Sequence, residues 1–428
     1  MNVLWLCNVA PAIFSETLGK PSDVSGGWIS GALNSIKNDT GISLTICFPS
    51  YSCNAIKAGE VEGVSFYTFP QTTINATKYS PQIKNYFEKI LDLTNPDLIH
   101  IFGSEYPHTL SMVEICEMKG IIDKVVISIQ GLVSQISKHY LNGIPTKIQK
   151  ASTFRDLIRR DNLIQQQRKL VFRGIYEIES LKKVRNVIGR TDWDEACVLQ
   201  INRNLRYFFC NETLRDAFYK ENWNICGCEK HSIFVSQSSY PLKGFHYMVE
   251  AMKEVVKEFP NAHLYATGTS PLNTKTLRTL LSRNSYQNYI VKLIKDYNLQ
   301  EKITFLGNLS ENDMCKRYLR SNVFVSPSNI ENSPNSVGEA MILGVPTICS
   351  DVGGVKNMLI HNIDGILYQH DAPYMLAYYI MKVFSNDELA IFLSKNASNH
   401  AKVTHNSESN LVQLKEIYED IYKSNLQK

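Results

Sequence analysis

An α/β chain of two doubly wound domains, each built on a parallel sheet and facing a central cleft, is the fold class the sequence predicts. Three observations carry it. Strand-like apolar runs alternate with stretches of helical periodicity almost from end to end, as the βα units of a parallel sheet require. The alternation breaks once, in the polar, aperiodic stretch 221–229 around Gly227. The 428 residues are also more than one hydrophobic core usually organises. The expected division is a first domain over 1–225, a second over 226–403, and a C-terminal helix over 404–428 that crosses back to the first.

The first strand is the short apolar run at 2–7, which lacks the basic flank and length of a signal peptide. Further runs at 42–48, 64–69, 98–102, 125–129, 187–189 and 207–210 read as strands. Between them, 81–93 places Ile83, Phe87, Ile90 and Leu91 along one helical face. The second series opens with a strand at 231–236 and a helix at 245–259, and continues with strands at 263–267, 303–306, 323–326 and 347–349. Ser310 and Asp313 form a capping-box pattern, with Asp in the usual place of Glu, ahead of a helix at 314–319. Near the end, Leu411, Leu414, Ile417, Tyr418 and Ile421 form a stripe that needs a partner surface. Ligands of such sheets sit at the C-terminal ends of the strands.

A hydrophobic fraction of 44% and a charged fraction of 20% are those of an ordinary globular protein and exclude a disordered chain. No apolar stretch reaches membrane-spanning length, so a cytoplasmic location is expected. The ten cysteines lie mostly in apolar runs and read as free thiols in a reducing compartment. Cys226-Gly-Cys228 has no second pair to complete a zinc site, so no metal is expected. The net charge of +4 is uneven: segment 138–190 holds thirteen Lys or Arg against four Asp or Glu. A solvated helical face explains this as well as a second reading does. That second reading is contact with an anionic membrane surface or a polyprenyl-phosphate acceptor, with the protein peripheral on the inner face of the membrane. No aromatic-interleaved recognition motif accompanies the charges, so no nucleic-acid partner is expected.

Glu331 and Glu339 bracket a strand-to-helix loop, the first on the loop and the second inside a helix that Gly344-Val-Pro346 stops. A helix N-terminus attracts phosphate, Pro334 suits its first turn, and the amides of Asn335 and Ser336 would face the anion. The two acids can accept hydrogen bonds from sugar hydroxyls on either side. Phosphate and hydroxyls together describe a nucleotide sugar. Lys243-Gly244, at an earlier strand-to-helix turn, can set one positive charge and a close backbone against a diphosphate. Gly26-Gly27 reads equally as a second backbone approach to that diphosphate or as a plain flexible turn.

The ordered run from Phe305-Leu-Gly307 through Glu331, Glu339, the buried strand Pro346–Asp351, a helix opened by Gly353-Gly354, and the turn His361–Gly365 resembles the C-terminal domain of family-four retaining glycosyltransferases. The resemblance implies the GT-B fold of two Rossmann-like domains. It implies that Lys243 grips the donor diphosphate together with an Arg five positions earlier, where this chain has Ser238. Gly268 and the Gly307-Asn308-Leu309 turn would receive the base, Glu339 the ribose hydroxyls and Glu331 the transferred sugar. The family's His after the fifth strand of the first domain is replaced by Gln130, which can hydrogen-bond a sugar but carries no proton to exchange. His108 and His139, nearby in sequence, read as structural histidines. The implied activity is metal-independent, retaining hexosyl transfer to a glycan or polyprenyl-phosphate-linked acceptor in cell-surface polysaccharide synthesis. No cofactor is implied beyond the nucleoside diphosphate sugar as donor substrate. Ser238 and Gln130 motivate a rival, a catalytically inactive GT-B scaffold or sugar-nucleotide-binding partner protein. A sugar-nucleotide epimerase on the same fold is a third reading.

Overall fold

The computed structural model describes residues 1–14, 27–72, 77–272, 276, 279 and 281–427. Its contacts divide the chain into two units. One comprises Met1–Gln135, Lys169–Arg215 and His405–Lys428, the other Ile136–Arg168 and Asp216–Thr404.

In the first unit the apolar runs become β1 (Asn2–Cys7), β2 (Ser43–Ser50), β3 (Lys57–Val61), β4 (Val64–Pro70), β5 (Leu98–Phe102), β6 (Val125–Ser128), β7 (Asn186–Gly189) and β8 (Arg206–Phe209). They form one sheet in the order β3-β4-β2-β1-β5-β6-β7-β8. Every pairing is parallel except β3 with β4, which are antiparallel across a turn at Glu62-Gly63, both at positive φ. Sequence reading found no strand at β3, because Lys-Ala-Gly-Glu-Val is exposed nearly throughout and carries no apolar run. Charge on an edge strand discourages pairing with another chain.

Both faces of this sheet are covered, which is why β1 and β5 are almost continuously apolar. The helices Gln82–Thr94 and Pro107–Met118 bury Phe87, Ile90, Val113 and Ile115 with side chains of β1, β5 and β6. On the other face the helices Gly27–Ile36 and Ser407–Leu426 bring Ile29, Leu33, Leu414, Ile417, Tyr418 and Ile421 together with Trp5 and Phe102. Burying each of these larger apolar side chains contributes about 1.5–3 kcal/mol.

The second unit holds β9 (Glu229–Val235), β10 (His263–Ala266), β11 (Ile303–Phe305), β12 (Ser321–Ser326), β13 (Thr347–Ser350) and β14 (Ile366–Tyr368), all parallel, in the order β11-β10-β9-β12-β13-β14. This is the doubly wound order that reverses direction between its first and fourth strands, here β9 and β12, and a crevice opens at such a reversal. Trp223 is buried in this unit and donates Nε1–H to the Ser321 carbonyl at 2.8 Å. Two local expectations are corrected. Gly353-Gly354 leads only to a 3-10 turn at Val355–Asn357, not to a further helix. Ser310 caps the helix Glu311–Leu319 by accepting the Asp313 N–H, but the Asp313 carboxylate takes the Ser310 hydroxyl at 2.6 Å, so the reciprocal half of the box is missing.

All ten cysteines are free thiols. Among the described residues no helix is long and apolar enough to cross a membrane.

Candidate functional site

The loops that leave β9 and β12 meet at the reversal point of the second sheet, and two glycines set how closely. Gly244 stands at φ 63° after the 3-10 turn Pro241–Lys243, and a Cβ there would lie 1.8 Å from the Pro327 carbonyl oxygen. Only glycine meets both conditions. Asn329 N–H donates to the Leu242 carbonyl at 2.8 Å and fastens the two loops together. A third loop, after β13, closes on the same place. Gly353 (φ 52°) would put a Cβ 2.0 Å from the Glu331 carbonyl oxygen, and Gly354 N–H donates to that oxygen at 3.1 Å. The Ser350 hydroxyl donates to the Ser328 carbonyl at 2.6 Å.

This interlock brings Lys243 to Glu331. The Lys243 ammonium forms an ion pair with Glu331 Oε1, and the Ser328 hydroxyl donates to the same oxygen at 2.7 Å. Burial opposes the charge on Lys243, yet the Glu331 carboxylate beside it outweighs burial and holds the ammonium's pKa above its ordinary value. Three residues beyond Glu331, Pro334 caps the helix Asn335–Leu343. Val337 and Gly338 donate back to the Pro334 carbonyl, so Asn335 and Ser336 form the helix's leading turn. Glu339, one turn inside, is 5% exposed.

On the neighbouring strands, Gly268 N–H donates to the Gly307 carbonyl at 2.9 Å, joining the turns that follow β10 and β11. Gly268 has φ 110°, and a Cβ there would lie 2.4 Å from Ser239 Oγ and 3.0 Å from Ser238 Oγ. Asn308 is exposed and Leu309 half-buried on the adjoining turn. Ser238 is buried and donates its hydroxyl to the Thr267 carbonyl at 2.7 Å, so it braces the β9 and β10 loops and brings no charge. Ser238, Lys243, Gly244, Gly268, Asn308, Leu309, Glu331, Asn335, Ser336 and Glu339 therefore all lie on the C-terminal loops of one sheet or on the helix that follows.

The remaining predicted residues belong to the first unit. Gln130 follows β6 and donates Nε2–H to Glu212 Oε1 at 2.7 Å, while Glu212 is also paired with the buried Arg190 guanidinium. Arg190 in turn donates to the Ile129 carbonyl at 2.9 Å. With His100 and Ser128 these residues line a cavity of about 50 Å3. Gly27 begins the helix Gly27–Ile36, and Gly26 lies outside the described residues. His108 is a structural histidine, bonded to Asn8 at 2.8 Å.

Sequence reading missed Ser328, whose spacing of three from Glu331 was the available signal. It also missed two acids of the first unit. Glu177 is fully buried and accepts the Val133 and Ser134 amides at 2.9 Å each and the Ser104 hydroxyl at 3.0 Å. Glu105, on the loop after β5, has its pKa raised to about 7, by burial first and by Glu177 second. Nothing in their sequence context marks either one.

Residues 218–400 match the family Glycosyl transferases group 1. An uncharacterised glycosyltransferase of Methanocaldococcus jannaschii is 25% identical over 220 residues, which are 51% of this chain and 52% of that protein. The UDP-Gal:alpha-D-GlcNAc-diphosphoundecaprenol alpha-1,3-galactosyltransferase of Escherichia coli is 25% identical over 184 residues, 42% of this chain and 43% of its own. The chain thus spans about half the length of the curated relatives it matches. The structure of sucrose-phosphate synthase from Thermosynechococcus elongatus superimposes with a TM-score of 0.72 at 16% identity, covering 99% of this chain and 100% of that one. At such identity the likeness shows the fold, which is GT-B. Residues 218–400, which carry the interlocked loops and both acids, are thus the segment in which this chain is similar to the group 1 glycosyl transferases.

Proposed function

We propose that the protein is a retaining glycosyltransferase that moves a hexose unit from a nucleoside diphosphate sugar to a glycan or lipid-linked acceptor in cell-surface polysaccharide synthesis. One observation carries the reading: Lys243 and Glu331 are held against each other at the strand reversal, three residues ahead of a helix N-terminus. An ammonium has three donors, so pairing with Glu331 does not exhaust Lys243, and a diphosphate can share it with the amides of Asn335 and Ser336. Glu331 would orient the sugar and Glu339 the ribose. The bond from the anomeric carbon to the β-phosphate oxygen breaks as the acceptor oxygen bonds to the same face of that carbon. The acceptor's proton passes to the departing phosphate oxygen, so Gln130 need not titrate. Charge compensation by Lys243 and the amides makes this a metal-independent reaction with no cofactor beyond the donor. The E. coli relative's name pairs a UDP-sugar donor with a diphosphoundecaprenol acceptor, which supports the same substrate classes here. A cytoplasmic location, peripheral at the inner face of a membrane, belongs to the same reading.

The test is incubation with a panel of nucleotide sugars. A donor that raises the melting temperature and releases nucleoside diphosphate with retained anomeric configuration in the product supports the reading. Ser238, which contributes no charge, favours a second one, a nucleotide-sugar-binding protein without turnover. Binding with no diphosphate released in the presence of acceptor extracts would select it.

A further inference from the structure

The short helix Phe154–Arg159 of the second unit turns an apolar face outward among cations, and we propose that this face docks the protein on an anionic lipid bilayer. The inference deepens the proposed function, because a lipid-linked acceptor is met at a membrane surface.

The helix is anchored from beneath. Asp156 is 1% exposed, completes a capping box with Thr153, and accepts the Ser285 N–H at 3.0 Å. With Asp156 fixed inward, Phe154, Leu157 and Ile158 fall at i, i+3 and i+4 and form one patch. They are 61%, 67% and 67% exposed. Single exposed apolar residues are ordinary, but three large ones on one six-residue helix mark an interaction surface. The charges around the patch choose its occupant. Lys147, Lys150, Arg159 and Arg160 are all exposed. The acids of segment 138–168 are Asp156 and Asp161, and both face Arg155. The patch is therefore apolar at its centre and cationic at its rim, as an interfacial helix on anionic lipid requires. Each cation strengthens attachment to an anionic leaflet about fivefold. A concavity of about 520 Å3 opens beside Phe154 with Arg283 and Lys292 in its wall, Lys292 also pairing with Asp296, and gives room for a lipid phosphate. A protein partner would have to supply acids around the whole rim, whereas an anionic bilayer supplies them everywhere.

The experiment is sedimentation of the full chain with phosphatidylcholine vesicles and with vesicles that also contain phosphatidylglycerol. Wild type is expected to sediment with the second kind and to be released by salt. Replacing Phe154, Leu157 and Ile158 together by Ser should lower partitioning about tenfold or more. Replacing Lys147, Lys150, Arg159 and Arg160 by Gln should abolish the preference for phosphatidylglycerol. Equal wild-type binding to both vesicles, or apolar and charge variants that sediment like wild type, overturns the proposal. So does a wild-type dimer that the apolar variant dissociates while neither sediments with lipid. If the apolar variant fails to fold, the charge variant decides alone. Sedimentation needs neither donor nor acceptor, so an inactive protein that still binds phosphatidylglycerol vesicles overturns the transferase reading and leaves the docking intact.

Discussion

Lys243 and Glu331 are 88 residues apart in sequence and form one ion pair across the seam between β9 and β12. The pair exists because Gly244 lets one loop press onto the Pro327 carbonyl and Gly353 lets another press onto the Glu331 carbonyl. It is also oriented, since the Ser328 hydroxyl holds the same carboxylate oxygen at 2.7 Å. A cation so placed need not reorganise when negative charge develops on a departing phosphate, and that is where preorganised electrostatics lower a barrier most.

Lys243→Gln is therefore expected to slow transfer about 100-fold or more, corresponding to loss of one preorganised donor to a developing oxyanion. Glu331→Gln should also lower turnover strongly, because it removes the charge that holds the ammonium in place. Ser328→Ala, which frees the carboxylate without removing it, should cause a smaller loss, about tenfold or less, in the range of one modest hydrogen bond. Nucleoside diphosphate release measures all three, and the melting temperature of each variant should stay within a few degrees of wild type. Full activity in Lys243→Gln would remove Lys243 from the mechanism.

Gly353→Ala and Gly244→Ala test the interlock itself. Each adds one methyl group within about 2 Å of a carbonyl oxygen, at a φ that L residues rarely adopt, so each should destabilise by about 1–3 kcal/mol. The sharper expectation concerns binding. Any donor that raises the wild-type melting temperature should raise that of either variant much less, because Lys243 and Glu331 no longer face each other. Unchanged donor-induced shifts would show that the site tolerates loop displacement.

How much of this was legible in the sequence depends on whether a feature is local. β5, with five consecutive buried residues, is written as a bare apolar run, and so are β1, β6 and β12. β3 is invisible because its residues are charged or small and its only reason to be a strand is pairing with β4. Lys243, Glu331 and Glu339 could be singled out from their strand-to-helix context. Their arrangement could not, because it follows from the strand order that makes β9 and β12 neighbours. Gly244 signalled a close backbone approach, but only the fold reveals that the approaching group is the Pro327 carbonyl. Gln130 signalled a missing titratable group, while its bond to Glu212, itself held by Arg190, depends on β6 and β7 being adjacent.

In the first unit, the C-terminal helix Ser407–Leu426 is tied to the sheet by a buried hydrogen-bond chain. Trp5 Nε1–H donates to Tyr418 Oη at 3.0 Å, Tyr418 Oη meets His100 Nδ1 at 2.6 Å, and His100 Nε2 meets Ser128 Oγ at 2.6 Å. Burial lowers the His100 pKa to about 3, so the ring is neutral at physiological pH. The Trp5, Tyr418 and His100 donors are all satisfied if the Tyr418 hydroxyl donates to Nδ1 and Nε2–H donates to Ser128. Tyr418→Phe keeps the volume and strands two buried groups, so it should destabilise the protein by about 2 kcal/mol or more. Ile417→Ala, which removes volume and no polar contact, should cost about 2–5 kcal/mol. Denaturant titration measures both, and a neutral Tyr418→Phe would mean that the chain contributes geometry without net stability.

Glu105 gives the protein a pH dependence whose sign runs against that of the buried His100 and His108. Its pKa is raised from 4.5 to about 7, so between those values the folded protein holds a proton that the unfolded chain has released. Stability from this group is complete below 4.5 and is lost as pH rises through about 7. His100 and His108, both lowered to about 3 by burial, act oppositely: their contribution is present above 6.5 and is lost as pH falls toward 3. The groups facing Glu105 are its own backbone amide, Glu177, Arg173, the Gly131 amide and Asn8, of which Glu177 opposes its ionisation while Arg173 and the two amides favour it. Glu105→Gln should therefore resemble wild type at the acid end of the window and exceed it in stability above pH about 7, because the variant has no buried carboxyl to ionise. Subtracting the two stability curves cancels the histidine contribution. A difference that stays flat from pH 4.5 to 7 would show that Glu105 ionises as freely in the folded protein as in the unfolded chain.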